Sequence, residues 1–128
     1  MKKDTKRIDS YESGLLFPKP QRNKKKKIHK RSLIHQKDGT CYLCIKEYHN
    51  YGRHRMVHEH HIYGGANRSI SEANGFKAYL CPCHHQFSKQ AVHNDHRLMR
   101  MMQEDCQRVF EESHSREEFM ALIGRNYL

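Results

Sequence analysis

The stretch VHEHHIYGG, residues 57–65, places three histidines and an acidic residue in four consecutive positions. Imidazole binds divalent ions, and because its pKa lies near neutrality it also accepts a proton at physiological pH. Three interpretations fit such a run: a polar loop, a set of metal ligands, or the reactive centre of an enzyme. The positions of the other cysteines and histidines help to choose among them.

A second pattern is typical of a zinc knuckle: Cys41-x-x-Cys44, followed by a cluster that begins at Cys81 and reads CPCHH. Two thiolates separated by two residues reach one ion at tetrahedral angles. In the second cluster Cys81 pairs either with His84, which gives a site of three cysteines and one histidine (Cys₃His), or with Cys83, which gives a site of four cysteines. We favour His84, because a one-residue gap around a proline strains a knuckle.

One structural ion leaves several histidines unused, among them His58, His60, His61, His85 and His93. Successive side chains on a strand point to opposite faces. His60 and His61 therefore bind one ion together only if the strand ends or twists at the following glycines. We expect one of the two to bind a metal and the other to act on a water molecule.

The net charge of +10 is unevenly distributed along the chain. Residues 1–40 contain 13 Lys and Arg against 4 Asp and Glu, whereas residues 41–128 contain 11 against 10. Such a one-signed block cannot collapse on itself, so we expect a disordered arm that contacts nucleic acid phosphates. The cations assigned to this contact are Lys24, Lys25, Lys26, Lys27, Lys30 and Arg31.

With 128 residues and 36% hydrophobic content, the chain has little apolar area to bury, and a metal is expected to brace it. No stretch is long and apolar enough for a membrane span or a signal peptide, so we expect a cytoplasmic protein with reduced cysteines. Cys106 is interpreted as a buried thiol.

The residue pattern predicts an α+β fold. We expect a short extended piece at residues 15–17, and an antiparallel hairpin whose strands end near Gly64 and run over residues 76–80. Capping boxes predict helices at residues 69–75 and 115–124. An amphipathic helix should run from Asn94 or Asp95 to about Ser113. It packs either within the chain or against a second copy, as in a homodimer.

Residues 41–93 resemble the HNH nucleases of the ββα-metal fold, in which a zinc knuckle can brace the hairpin. The resemblance rests on EHHIYGGANR and GFKAYLCPCHHQFSKQAVH, framed by the upstream Cys-x-x-Cys, and is closest to small phage and prophage proteins. It implies three segments: a basic arm (1–38), a zinc-knuckle and ββα-metal core (39–93) and a helical segment (94–128).

The resemblance also implies roles for individual residues. His60 and His85 would bind the catalytic divalent ion, His93 would contribute to the metal or to a phosphate, and His61 would be the general base. Asn74, with Asn67 as the alternative, would be the motif's middle asparagine. Three arginines are expected to clamp phosphates, with Arg68 favoured over Arg53 and Arg55.

These expectations describe an endonuclease that hydrolyses phosphodiester bonds of double-stranded DNA with weak sequence specificity, in a bacterial or phage-infected cell. The expected cofactors are structural Zn²⁺ and catalytic Mg²⁺ or Mn²⁺, and the products carry a 5′ phosphate and a 3′ hydroxyl. The alternative is a non-catalytic, zinc-stabilised nucleic-acid-binding module. Such a module has no use for His60, His61 and His85.

Overall fold

The structure, a computed structural model, describes residues 20–21 and 23–128 and has the predicted α+β class. In this part of the chain the regular elements, in order, are α1 (Tyr42–Tyr48), β1 (His58–His61), α2 (Arg68–Asn74), β2 (Lys77–Leu80), α3 (His96–Phe110) and α4 (Arg116–Ile123). A 3₁₀ turn, Gly65–Asn67, leads into α2, and one wide helical turn, Cys83–Phe87, follows β2. We call this wide turn the π turn.

The two strands form the predicted antiparallel hairpin, in which His60 lies opposite Ala78 and His61 opposite Lys77. His60 is buried against the core, whereas His61 is only partly buried. The alternation of a strand explains this difference, because adjacent residues face opposite sides of the sheet. The hairpin therefore directs the two histidines to opposite faces of the sheet, as the alternation of a strand predicts.

The helix in the hairpin connection begins earlier than predicted. The expected capping box at Ser69 is wrong: α2 starts at Arg68, and Ser69 lies inside it. The chain is already helical in the preceding 3₁₀ turn, so Ser69 is not the extended residue that a cap requires. The end of α2 is as predicted, with Gly75 in the left-handed region at φ 77°.

Helix α1, which carries the Cys-x-x-Cys pair, was not predicted from the sequence. Cys41 is the residue before this helix and Cys44 lies in its first turn. Tyr42 and Leu43, between the two cysteines, are buried in the core. The knuckle is thus fixed to the core by the helix that carries it.

The C-terminal helices follow their predicted caps. Asp95, one of the two candidates, accepts a hydrogen bond from the backbone N–H of Arg97 at the start of α3. Ser115 accepts one from the N–H of Glu118 at the start of α4. Helix α3 ends at Phe110, three residues before the predicted Ser113.

Helix α3 packs within the chain. Its buried residues include Leu98, Met102, Cys106 and Phe110, which join one hydrophobic core together with residues of the hairpin and α4. Cys106 is fully buried, as predicted for a structural thiol. The amphipathic face of α3 is therefore covered inside this chain.

The backbone of the basic arm is hydrogen-bonded to the body of the protein from Lys30 onward. The Lys30 N–H donates to the Glu72 carbonyl (3.2 Å), the Leu33 N–H donates to the Gly75 carbonyl (2.9 Å), and the Ser32 hydroxyl donates to the Lys77 carbonyl. Residues 23–31 are exposed and contain no helix or strand. The extended piece predicted at residues 15–17 lies outside the described residues.

Among the helices of the described part, none is both long enough and apolar enough to cross a membrane.

Substitution of Gly75 tests the packing of the basic arm against the end of α2. A Cβ at Gly75 would lie 2.1 Å from the Arg31 carbonyl oxygen, on a backbone with φ +77°. We expect Gly75→Ala to lower the free energy of unfolding by at least about 1–2 kcal/mol, the usual cost of the left-handed conformation. Chemical denaturation of the zinc-loaded protein measures this.

Gly64→Ala is the matched control, since its φ is −92° and a Cβ there meets nothing within 4 Å. We expect it to change stability little. An equal loss of unfolding free energy in the two variants would contradict the role of Gly75 in ending α2 and in contacting the arm.

Candidate functional site

Four buried side chains form a cluster that could hold a structural metal such as zinc. Ligand atoms of Cys41, Cys44, Cys81 and His84 all lie within 4.8 Å of one another. His84 Nδ1 is 3.4 Å from each of the three sulfurs, and the Cys44 and Cys81 sulfurs are 4.0 Å apart. Tetrahedral zinc implies about 3.6 Å for S···N and about 3.8 Å for S···S, so the spacing fits.

The structure selects His84 over Cys83 as the fourth member. His84 is buried, whereas Cys83 is exposed and lies outside the cluster. The π turn explains the choice: the His85 N–H donates to the Cys81 carbonyl (3.0 Å), which folds His84 back over the Cys81 side chain. The structure therefore brings together the four residues of the favoured pairing.

Burial raises the pKa of the Cys44 thiol, and the neighbouring Cys41 and Cys81 raise it further. Burial also raises the pKa of Cys81 and lowers that of His84. Buried thiols of this kind stay protonated until a cation compensates the thiolate charge. The electrostatics of the cluster therefore suit a bound divalent ion.

A second cluster joins His60 of β1, His85 of the π turn and His93 of the loop before α3. One nitrogen from each of the three rings lies within 4.8 Å of the other two. The His85 and His93 Nε2 atoms are 3.1 Å apart, and the His60 ring centroid lies 5.5 Å from that of His85 and 5.1 Å from that of His93. The structure thus brings together the three residues expected to bind the catalytic ion.

His60 gives the clearest indication that a ligand belongs at this cluster. The residue is only 3% exposed, and its Nε2 is a buried side-chain atom that lacks a hydrogen-bond partner in the described part of the chain. An unsatisfied buried polar atom costs about 1–3 kcal/mol. An ion on this nitrogen would satisfy it, so the residues present fit a metal.

The protonation states agree with this fit. Burial, together with the charges of His93 and His85, lowers the pKa of His60 to about 3. Burial and the same kind of repulsion, from His93 and His58, lower the pKa of His85 to about 4. Both rings are neutral at physiological pH, which is the form that binds metals.

His61, on the other face of β1, belongs to a different set of contacts. Its Nε2 is 2.7 Å from Glu72 Oε1 and 3.7 Å from Glu59 Oε1. The Lys77 ammonium lies 2.8 Å from Glu72 and 3.5 Å from Glu59. Lys77 and His61 hold the pKa of the Glu72 carboxyl far below its usual range. Because the Lys77 ammonium already pairs with both carboxylates, we do not assign a metal to this set.

A cavity of about 690 Å³ opens over His61. Helix α2 lines one side with Arg68 and Glu72, and the arm lines another with Lys27 and His29. Arg68 is the only arginine among the described residues that line the cavity. Arg53 and Arg55, the other predicted phosphate clamps, are exposed in the loop before β1 and are not among the lining residues.

The two candidate asparagines make other contacts. The Asn74 side-chain amide donates to the Ile70 carbonyl within its own helix (2.8 Å). The Asn67 amide donates to the Ile123 carbonyl and thereby ties the hairpin connection to α4 (3.1 Å). A role for either residue as the motif's middle asparagine stays a prediction.

Sequence reasoning missed Glu72, Lys77 and His58. Glu72 matched a capping box, which concealed its contact with His61. Lys77 reaches Glu72 because the hairpin register sets it opposite His61. His58 was given no role of its own from the sequence, but its Nδ1 lies 3.0 Å from His85 Nδ1. Each contact joins residues from separate elements, and no local pattern signals it.

The two cysteines of the CPCHH run provide a direct test of the first cluster. We expect Cys81→Ser to lose the zinc of the Cys₃His site and to unfold at a lower temperature, because three ligands bind zinc poorly and metal binding is coupled to folding. Cys83→Ser, the matched control, should keep both the zinc and the stability of the wild type. Elemental analysis and thermal unfolding measure these effects. If Cys83→Ser alone lost zinc, Cys83 would be the ligand and the assignment of the Cys₃His site would be wrong.

Comparisons with protein-family models, curated proteins and solved structures gave no match for this chain. The resemblance to HNH proteins therefore rests on the residues of the chain itself. The structure adds a small α+β fold with a two-stranded hairpin and a Cys₃His cluster, which is compatible with a zinc-braced ββα fold.

Proposed function

We propose that the protein is a metal-dependent DNA endonuclease of the HNH type. The observation that supports this best is that two adjacent residues of β1, His60 and His61, lie in different environments. His60 is part of a cluster of three histidines and has a buried nitrogen without a hydrogen-bond partner, and His61 contacts a carboxylate at the edge of a cavity. A metal ligand next to a general base is what metal-assisted hydrolysis of a phosphodiester requires.

In this proposal His60, His85 and His93 hold the catalytic ion. Once bound, the ion would supply positive charge to the scissile phosphate and to the departing oxygen. All three donors are imidazole nitrogens, which suit first-row transition ions such as Zn²⁺, Ni²⁺ or Co²⁺, whereas Mg²⁺ prefers oxygen ligands. Of the two catalytic ions expected from the sequence, Mg²⁺ and Mn²⁺, we therefore set aside Mg²⁺ and propose a first-row transition ion.

His61 acts as the general base. Glu72 accepts a hydrogen bond from the Nε2–H of a neutral ring, which leaves the lone pair on Nδ1 to take a proton. A water that loses its proton to His61 attacks the phosphorus, the bond to the 3′ oxygen breaks, and the departing 3′ oxygen takes a proton from solvent, to which His61 later returns its own. The products are a 5′ phosphate and a 3′ hydroxyl. The negative Glu72 also stabilises the imidazolium that forms.

Nucleic acid binding is assigned to the arm and to Arg68. Lys24–Lys27, Lys30 and Arg31 are exposed, and Lys27 and Arg68 line the same cavity as His61. Lysines on an irregular segment bind phosphates without reading bases, so this contact supplies affinity and little specificity.

The second candidate is a non-catalytic, zinc-stabilised nucleic-acid-binding module. The Cys₃His cluster and the exposed arm would suffice for it. The three-histidine cluster argues against it, because a binding module has no need for a buried histidine nitrogen without a partner.

Plasmid nicking tests the proposal. We expect the wild type to nick supercoiled DNA with added Co²⁺, Ni²⁺ or Mn²⁺, and to lose the activity in EDTA. Removal of a general base typically costs 10²–10⁴-fold in rate, and we expect a loss in this range for His61→Ala. His96→Ala, an exposed histidine at the start of α3, is the matched control and should cut normally.

Zinc content is measured on each sample to show that the Cys₃His site is intact. A zinc-loaded wild type that binds DNA but never cuts it would favour the binding module. Activity that survives in His61→Ala would remove His61 from the role of base.

Substitutions that change the charge of the arm test its role in DNA binding. We expect replacement of Lys24–Lys27 by glutamine to weaken DNA binding and to make the salt dependence shallower, by about 0.9 in slope for each phosphate that the arm no longer neutralises. Replacement of the same four lysines by arginine keeps the charge and should keep the slope. Fluorescence anisotropy over a range of salt concentrations measures both. Equal slopes for the glutamine and wild-type proteins would exclude this segment from the interface.

A further inference from the structure

His58, the first residue of β1, faces the three-histidine cluster. It lies two residues before His60 and therefore on the same face of the strand. Its Nδ1 is 3.0 Å from His85 Nδ1, and the two rings meet edge to face with centroids 5.1 Å apart. His58 is half-buried, and the contact joins β1 to the π turn.

The two nitrogens of His85 have different neighbours. Nε2 lies 3.1 Å from His93 Nε2 and so faces the cluster, whereas Nδ1 faces His58. A neutral imidazole carries a single proton, on one nitrogen or the other. If Nε2 offers its lone pair to a metal, the proton is on Nδ1 and is donated to His58 Nδ1. The proton of His58 must then be on its own Nε2.

We propose that His58 is a positioning residue that holds His85 in the tautomer and ring orientation needed to bind the second metal. A hydrogen bond to the free nitrogen of a ligating histidine commonly has this function. The inference rests on the metal centre of the proposed function but does not depend on DNA cleavage.

The geometry argues against His58 as a further ligand. An ion bound to His85 Nε2 lies on the side of the ring away from Nδ1, and His58 contacts Nδ1. The distance of 3.0 Å is that of a hydrogen bond between two nitrogens. His58 therefore reaches the metal only through His85.

Co²⁺ binding tests the role apart from activity. Protein with zinc in the Cys₃His site, verified by elemental analysis, is titrated with Co²⁺. Absorption in the visible d–d region reports the histidine site, and a thiolate-to-cobalt band reports any exchange into the cysteine site. We expect His58→Ala to weaken Co²⁺ binding by about 10–100-fold.

His58→Asn separates positioning from packing, because its side-chain oxygen can replace Nδ1 as an acceptor. We expect this variant to recover most of the affinity. His96→Ala should bind as the wild type does, and His85→Ala should lose the histidine site altogether.

Two results would overturn the inference while the metal centre stands: wild-type affinity in His58→Ala, or equally weakened binding in His58→Ala and His58→Asn. Unchanged Co²⁺ binding in His85→Ala would instead remove the three-histidine centre, and with it both the inference and the metal chemistry of the proposed function.

Discussion

The constraint on which this fold depends is the packing of three buried cysteines and His84 into one cluster, which could hold a cation. Cys41 and Cys44 come from the start of α1, and Cys81 and His84 come from the end of β2 and the π turn. Without a cation, the burial that raises the thiol pKa values leaves polar sulfurs packed against one another at no gain. With a cation, a helix and a hairpin are joined at one point. A metal link of this kind would stabilise a chain in which only 36% of the residues are hydrophobic.

The Cys₃His cluster also determines the position of the three-histidine cluster. His85 follows His84 directly, so the π turn that buries His84 among the sulfurs turns His85 toward β1. His60 meets it there because the hairpin register sets β1 beside the strand that ends at Leu80, next to Cys81. The two clusters are therefore linked through adjacent residues, His84 and His85, which one peptide bond joins. This arrangement meets the requirement that metal ligands be held by their surroundings before the ion arrives.

Local sequence patterns predicted the features that depend on short spacings. The Cys-x-x-Cys pair, the choice of His84 over Cys83, the opposite faces of His60 and His61, and the caps at Asp95 and Ser115 all follow from geometry within a few residues. Two sequence predictions failed because neighbouring residues were not considered. The start of α2 was misplaced because the preceding 3₁₀ turn decides it, and α1 was missed because the cysteines were considered apart from the apolar residues between them. The contacts of Glu72, Lys77 and His58 depend on the hairpin register, which one sequence does not specify.

Glu72 is contacted by both the predicted base and the arm, and its carboxylate is held by partners of different exposure. Its carboxylate contacts His61 and Lys77, and also His29 of the arm at 3.0 Å. The side chain of Lys77 is 6% exposed and that of His29 is 64% exposed. Solvent screens the exposed pair far more strongly, so Lys77 is the partner that keeps Glu72 in place. An arm that exchanged Glu72 for a phosphate would thus leave His61 and its carboxylate together.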